Sequence, residues 1–196
     1  YEIGVRLVGS EMCIRDSHIA LEFKKYNNIK TRFIFKDPRR FGFFNIYNNT
    51  DHIFKNIFKN LGPEPLIKGF PIKLFYKNIS KRKSSIKSLL LNQSIISGLG
   101  NIYACESLFL AQISPFALGC DLSLKNIEIL YSQIEKVLKK AIREGGTTLQ
   151  DYKNISGEIG YFQNYLSVYD KENNKCINNC SALIKRENQN GRSTYY

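Results

Sequence analysis

Asp37-Pro-Arg-Arg-Phe-Gly42 places two guanidinium groups and an aromatic ring in a turn bounded by proline and glycine. Pro38 fixes the backbone at the entry and Gly42 permits an unusual one at the exit, so Arg39, Arg40 and Phe41 stand at a loop tip. Neither the charges nor the ring suit a core there, so the tip is built to touch something else. A second group, Ser97-Gly98-Leu99-Gly100, makes a tight double turn between an amphipathic segment ending in Leu89, Leu90 and Leu91 and another that starts at Asn101, placed as its N-cap. Such a junction directs backbone N–H groups and the positive end of a helix dipole outward, which suits a phosphate. Lys81, Arg82, Lys83 and Lys87 precede it and add mobile positive charge for phosphate positioning. The third group is Cys176 and Cys180. Thiolates ligate zinc, but a structural site needs four ligands, and two cysteines four positions apart are a weak metal signal taken alone.

The chain that carries these groups has 196 residues, 43% of them apolar, with thirteen phenylalanines, enough to bury a core in one or two small domains. Its formal charge of +12 implies attraction to polyanions, either nucleic acid or an anionic membrane surface. No apolar run approaches the ~18 residues of a membrane span, and no leader with a charged start and apolar centre is visible, so nucleic acid is the favoured partner. The five cysteines, Cys13, Cys105, Cys120, Cys176 and Cys180, are odd in number and irregular in spacing, unlike a secreted disulfide framework. A reducing cytoplasm is expected.

Two kinds of element must position these groups. Residues 18–23 and 32–36 are β-rich runs separated by turn-formers, and 43–47 follows the arginine turn as a third, giving an antiparallel meander. A polar connector punctuated by Leu61-Gly-Pro-Glu-Pro-Leu66 then spans 48–80 and marks a domain boundary. Beyond it the apolar period becomes helical, with helices expected at about 84–93, 101–111 and 123–144. The last has Ser123 as N-cap, Ile127, Leu130, Ile134, Val137, Leu138 and Ala141 on one face, and Gly145-Gly146 as its stop. Short strands are expected around 165–169, 181–186 and 193–196. Residues 1–17 neither alternate like a strand nor repeat like a helix. Their Gly-Ser-Glu-Met-Cys-Ile-Arg-Asp-Ser core resembles a translated sequencing-adapter scar, so they are set apart from the fold and Cys13 carries no functional weight.

Six motifs occur in the order and approximate spacing of bacterial formamidopyrimidine-DNA glycosylases, which the chain resembles from His18 to Tyr196. They are DPRRFG at 37–42, LGPEPL at 61–66, SGLGNIYACESLF at 97–109, GGTTL at 145–149, GYF at 160–162 and GRSTYY at 191–196. The related endonuclease VIII branch shares the helix-two-turns-helix but generally lacks DPRRFG. The resemblance implies an α+β fold. Its parts are the end of an antiparallel β-sandwich (18–66), a helix-two-turns-helix domain (67–165) and a truncated β-hairpin zinc ribbon (166–196).

What the resemblance implies for function is base-excision repair of double-stranded damaged DNA by a monomeric glycosylase and lyase that removes oxidised purines such as 8-oxoguanine. An enzyme acting on a base must extrude it, and something must fill the hole. In the family the first arginine and the phenylalanine of the turn do so, here Arg39 and Phe41, with Asp37 and Arg40 as supports. His18 matches a histidine that meets the DNA backbone, and Asn101, with Arg82 and Lys83, the phosphate contacts at the lesion. Arg192 matches the hairpin arginine proposed to assist the second elimination. Glu106 is read as structural. The loop 147–162, with Gly145, Gly146, Gly157 and Gly160 as joints, corresponds to the cover over the everted base. Cys176 and Cys180 match one pair of ligands to a structural zinc, spaced one residue wider than usual, and the second pair is absent. The family's N-terminal proline nucleophile, its glutamate and its strand lysine are absent too, so the chain is expected to touch DNA without cutting it. A non-catalytic protein that binds damaged DNA through the same junction is the alternative. A ribosomal-type RNA binder is a third reading, against which the arginine-phenylalanine wedge argues.

Overall fold

A computed structural model describes residues 2–6, 17–24, 30–36, 58–147, 160–178 and 180–196. The chain divides into two compact units, Tyr1–Ile53 and Phe54–Tyr196. In the first, β1 (Glu2–Arg6), β2 (Ser17–Lys24) and β3 (Lys30–Lys36) form an antiparallel sheet in that order. Ile3 lies opposite Phe23 and Val5 opposite Leu21, while Leu21 and Ile19 lie opposite Phe33 and Phe35. Directly opposed residues share a face, so these apolar positions fall on one side of the sheet, together with Thr31 opposite Phe23. β2 and β3 match the expected strands. Residues 1–17 do not lie wholly outside the fold, because Glu2–Arg6 pairs along β2. The turn 37–42, the expected strand 43–47 and nearly all of the loop 147–162 fall outside the described residues.

The second unit is mainly helical. It contains α1 (Ile72–Ser80), α2 (Ile86–Leu90), α3 (Asn101–Leu110) and α4 (Leu124–Arg143). Short 3-10 turns lie at Gly119–Asp121 and Phe162–Tyr165. α1 corrects the reading of 48–80 as connector throughout. Ile72, Phe75, Tyr76 and Ile79 follow the i, i+3, i+4, i+7 pattern of a helix face, and Phe75 and Ile79 are buried. Proline directly before the helix is compatible with its first turn, where the missing N–H has no partner to lose. α2 is shorter than the expected 84–93. Its C-terminal continuation is diverted by Asn92, whose side-chain oxygen accepts the Ser94 N–H at 2.9 Å in a local turn.

α4 forms as its sequence requires. The Ser123 Oγ accepts the Asn126 N–H and the Asn126 side chain accepts the Ser123 N–H, a reciprocal cap that satisfies two otherwise orphaned donors. At the other end the Gly146 N–H reaches the Ala141 carbonyl at 2.8 Å, with Gly145 and Gly146 at φ 73° and 91°. That left-handed backbone explains the glycine pair. Ile127, Leu130 and Ile134 of α4 meet Phe75 and Ile79 of α1 in the largest apolar cluster, where Phe70 stacks on Tyr131 with ring centroids 4.3 Å apart.

The strand expected at 165–169 is instead the 3-10 turn followed by a loop. The remainder is a hairpin of β4 (Arg186–Gln189) and β5 (Arg192–Tyr195), preceded by an isolated bridge between Lys175 and Leu183. Asn190 and Gly191, at φ 53° and 74°, make its two-residue turn. Positive φ at both central residues is the twist-matched hairpin geometry that Asn-Gly favours. This Asn-Gly is the sequence signal that would have placed β4 at 186–189 rather than 181–186.

Candidate nucleic-acid interface

α2, the turn 91–100 and α3 form the helix-two-turns-helix junction. The N-cap of α3 is Gly100, in extended conformation with no side-chain cap bond, which corrects the assignment of that role to Asn101. Asn101 is instead the first helical residue, and its amide is turned toward the hairpin. Its Nδ2 donates to the Ser193 carbonyl at 2.9 Å and more weakly to the Tyr169 hydroxyl at 3.4 Å, while its buried Oδ1 has no protein partner. Without a side-chain cap, the first N–H groups of α3 remain available to an anion.

Lys87 is not surface charge. It is 1% exposed, and its Nζ donates to the Ser193 carbonyl at 2.9 Å and to Thr194 Oγ1 at 2.6 Å. Burial pushes its ammonium below the ordinary lysine range; nearby Cys105 opposes that shift and the positive charge of Arg192 adds to it. A helix of five residues buries Ile86, Lys87, Leu89 and Leu90, so a lysine inside an apolar run lies against the hairpin instead of solvent, unlike the surface charge its type suggests.

Arg82 and Lys83 are exposed. Their loop is pinned rather than mobile, since the Cys120 N–H donates to the Arg82 carbonyl and the Gly119 N–H to the Ser84 carbonyl, both at 3.0 Å. Arg82 also closes the C-terminal end of α1 through Nε, 3.2 Å from the Asn78 carbonyl. The hairpin turn reaches the same segment: Gln189 Nε2 donates to Ser85 Oγ and Asn190 Nδ2 to Ser88 Oγ, each at 2.7 Å. Arg192, exposed at the start of β5, is thereby held beside α2 and α3 through its neighbour Ser193.

Glu106 has the structural role read for it. Its carboxylate, 2% exposed, accepts the N–H groups of Ser167, Val168 and Tyr169 at 2.7, 2.9 and 2.8 Å. That fixes the loop entering the hairpin region against α3. Of the other expected site residues, His18 lies in β2 of the first unit. Arg39 and Phe41 lie outside the described residues. Cys176 and Cys180 are adjacent, and a hydrogen bond from the Cys176 thiol, then one from the Ala182 backbone, holds the Cys180 thiol below its usual range. Two thiols are half of a tetrahedral set, and the described residues contain no group of three or more histidine, cysteine or acidic side chains able to hold a metal. These residues by themselves do not make a zinc site. Among the described residues no helix is long and apolar enough to cross a membrane.

This junction defines an H2TH domain: the family model described as the formamidopyrimidine-DNA glycosylase H2TH domain matches residues 61–153. Among curated proteins, the chain is 41% identical over 174 residues to the formamidopyrimidine-DNA glycosylase of Nitrobacter winogradskyi, covering 85% of this chain and 59% of that protein. It is 47% identical over 168 residues to that of Wolbachia pipientis, covering 85% and 60%. The chain thus spans about three fifths of the length of these relatives. Among solved structures, the MutM (Fpg) protein of Thermus thermophilus superposes with a TM-score of 0.80 at 32% identity, covering all of this chain and 71% of that one. The Lactococcus lactis Fpg in complex with DNA containing an abasic site superposes with a TM-score of 0.72 at 29% identity, covering 100% and 69%. The chain belongs to the formamidopyrimidine-DNA glycosylase family.

Proposed function

We propose that this chain supplies the DNA-holding part of a base-excision repair glycosylase and lyase acting on oxidised purines in duplex DNA. The observation that carries the reading is the junction itself. Exposed Arg82 and Lys83 lie on a pinned loop before α2, the uncapped N-terminus of α3 follows two open glycines, and a polar-anchored hairpin presents Arg192 beside both helices. Cations and backbone N–H groups fixed in this way bind phosphates and carry no base preference, so they set the register of the duplex. Asn101 contributes by tying α3 to the hairpin through one Nδ2–H and offering the other, held only by a long 3.4 Å bond to the Tyr169 hydroxyl, to the same phosphates.

Base eversion falls to the Arg39–Phe41 turn. Phe41 replaces the lost stacking and the Arg39 guanidinium hydrogen-bonds the base left behind, with His18 on the backbone. Arg192 neutralises phosphate charge at the lesion and supports the elimination there. The sheet of the first unit is one layer of a sandwich, and Cys176 with Cys180 is one half of a structural zinc set in the whole protein, which acts as a cytoplasmic monomer.

The test is salt-dependent binding. Replacing Arg82 and Lys83 by alanine in the 196-residue chain should weaken its affinity for short duplexes of any sequence and lower the slope of log affinity against log salt by about 2. An unchanged slope would refute the phosphate assignment.

A further inference from the structure

The side chain of Gln93 is used entirely within the turn that it opens. Its Oε1 accepts the Gly98 N–H at 2.7 Å, and its Nε2 donates to the carbonyls of Leu99 at 3.3 Å and Leu91 at 3.4 Å. The Gln93 carbonyl accepts the Gly62 N–H at 2.8 Å, and the Ser97 N–H goes to the Pro63 carbonyl at 3.1 Å, so the Gly62-Pro63 strap grips the same turn from behind. The strap can approach so closely only without a side chain, since a Cβ on Gly62 would lie 2.5 Å from the Ile95 carbonyl carbon.

These contacts sort the amides of the turn. Ser97 and Gly98 point theirs inward and are satisfied, and the chain then reverses at Gly98, where φ is 77° and a Cβ would meet nothing within 4 Å. Gly100 follows as the extended cap of α3. Two glycines in four residues would leave this stretch many conformations. One carboxamide bonding three backbone groups removes that freedom before a ligand arrives, and a preformed turn spares the ordering cost on binding.

We propose that Gln93 is a positioning residue for DNA-backbone binding, its carboxamide holding the Gly98–Gly100 turn in the binding conformation without itself touching DNA. The inference rests on the reading of the junction as a phosphate contact.

The experiment measures fluorescence anisotropy of a short labelled duplex, together with amide hydrogen exchange, on the 196-residue chain and its variants. Gln93→Ala should bind about fivefold more weakly, as loss of a modest hydrogen-bond set predicts. Its salt slope should be unchanged because no charge is removed. Exchange of the Gly98 amide should accelerate at least about tenfold, because its acceptor is gone. Gln93→Glu keeps an acceptor for Gly98 but turns its second oxygen against the Leu91 and Leu99 carbonyls, so the turn should loosen and affinity should fall, with the added negative charge lowering it further. Wild-type affinity in Gln93→Ala, or Gly98 protection that survives the substitution, overturns the proposal. Should Gln93→Ala not fold, Gln93→Glu decides: wild-type affinity in that variant overturns it, and weaker binding supports it. The Arg82/Lys83 double variant is the internal reference. If that variant weakens binding and Gln93→Ala does not, this inference alone fails; if neither weakens it, the phosphate reading fails as well.

Discussion

Between α1 and α4 the contacts are apolar, with Phe75, Ile79, Leu130 and Ile134 buried in one cluster, whereas the hairpin region holds to the helices largely through polar side chains. The hairpin's own apolar cluster is small, comprising Cys105, Val168, Ile184 and Tyr195. Around it Glu106 takes three backbone N–H groups, Lys87 bonds Ser193 and Thr194, Asn101 bonds Ser193, and Gln189 and Asn190 reach Ser85, the N-cap of α2, and Ser88 within it. The difference matters because apolar burial is non-directional and tolerates small shifts, while a buried hydrogen bond holds only in one geometry. Helices fixed by the first provide a stable platform. A hairpin fixed by the second presents Arg192 in one place, at the risk that one lost partner leaves several buried groups unsatisfied.

The largest expected break in that contrast is at Glu106. Glu106→Ala leaves the N–H groups of Ser167, Val168 and Tyr169 without an acceptor, and orphaned buried donors cost about 1–3 kcal/mol each when water cannot reach them. With partial access to water the net loss should be about 3 kcal/mol in urea denaturation. Amide exchange should accelerate first from 166 to 170 and along β5, before the amides of α4. Uniform acceleration in α4 and β5 would mean that the two regions open together and that the contrast is not energetic.

A smaller effect is expected at Lys87. Lys87→Met keeps much of the apolar stem but removes two hydrogen bonds of a charged donor, a loss of about 2 kcal/mol after the removed burial cost is offset. The pH dependence separates the terms. Because burial lowers the pKa of Lys87 in the folded state, the unfolded chain binds more protons between that lowered value and the ordinary lysine value of 10.5. Stability contributed by this group therefore rises with pH across that window, and the gap between the parent chain and Lys87→Met should widen there. A gap that narrows with pH would show that the charge is better accommodated folded than unfolded.

Much of this arrangement is legible in the sequence, and the misreadings have physical causes. α4 could be read because its cap, its apolar period and its glycine stop agree, and local signals of that kind need no tertiary partner. β2 and β3 alternate clearly. α1 was hidden by the prolines before it, although its own apolar period is intact. The burial of Lys87 and the hairpin bond of Asn101 could not be read because both face a segment about a hundred residues later, and sequence distance carries no sign of that contact. Lys87, taken as surface charge, serves the hairpin joint, and Asn101, taken as an N-cap, ties α3 to the same hairpin. The loop that carries Arg82 and Lys83 is held by backbone bonds from Gly119 and Cys120, for which side-chain composition gives no signal.

The smallest effect sharpens the comparison from the helical side. Ser123 caps α4 through a reciprocal bond with Asn126, and Ser123 is exposed, about a turn before the main cluster's residue Ile127. Ser123→Ala removes the side-chain acceptor for the Asn126 N–H, a cap loss worth about 1 kcal/mol. The apolar face of α4 remains buried, so the fold should persist with a slightly lower denaturation midpoint and an unchanged denaturant slope. Fraying should be confined to amides near 124–127, because the helix is 20 residues long and its buried positions continue to Ala141. Ser123→Asp, which can still accept that N–H and adds negative charge at the positive end of the dipole, should recover the loss. DNA affinity of Ser123→Ala should match the parent chain, since no contact links this cap to the junction. A loss of affinity comparable to that of the Arg82/Lys83 variant would show that the apolar platform and the phosphate-binding end are coupled more tightly than their separate bonding implies.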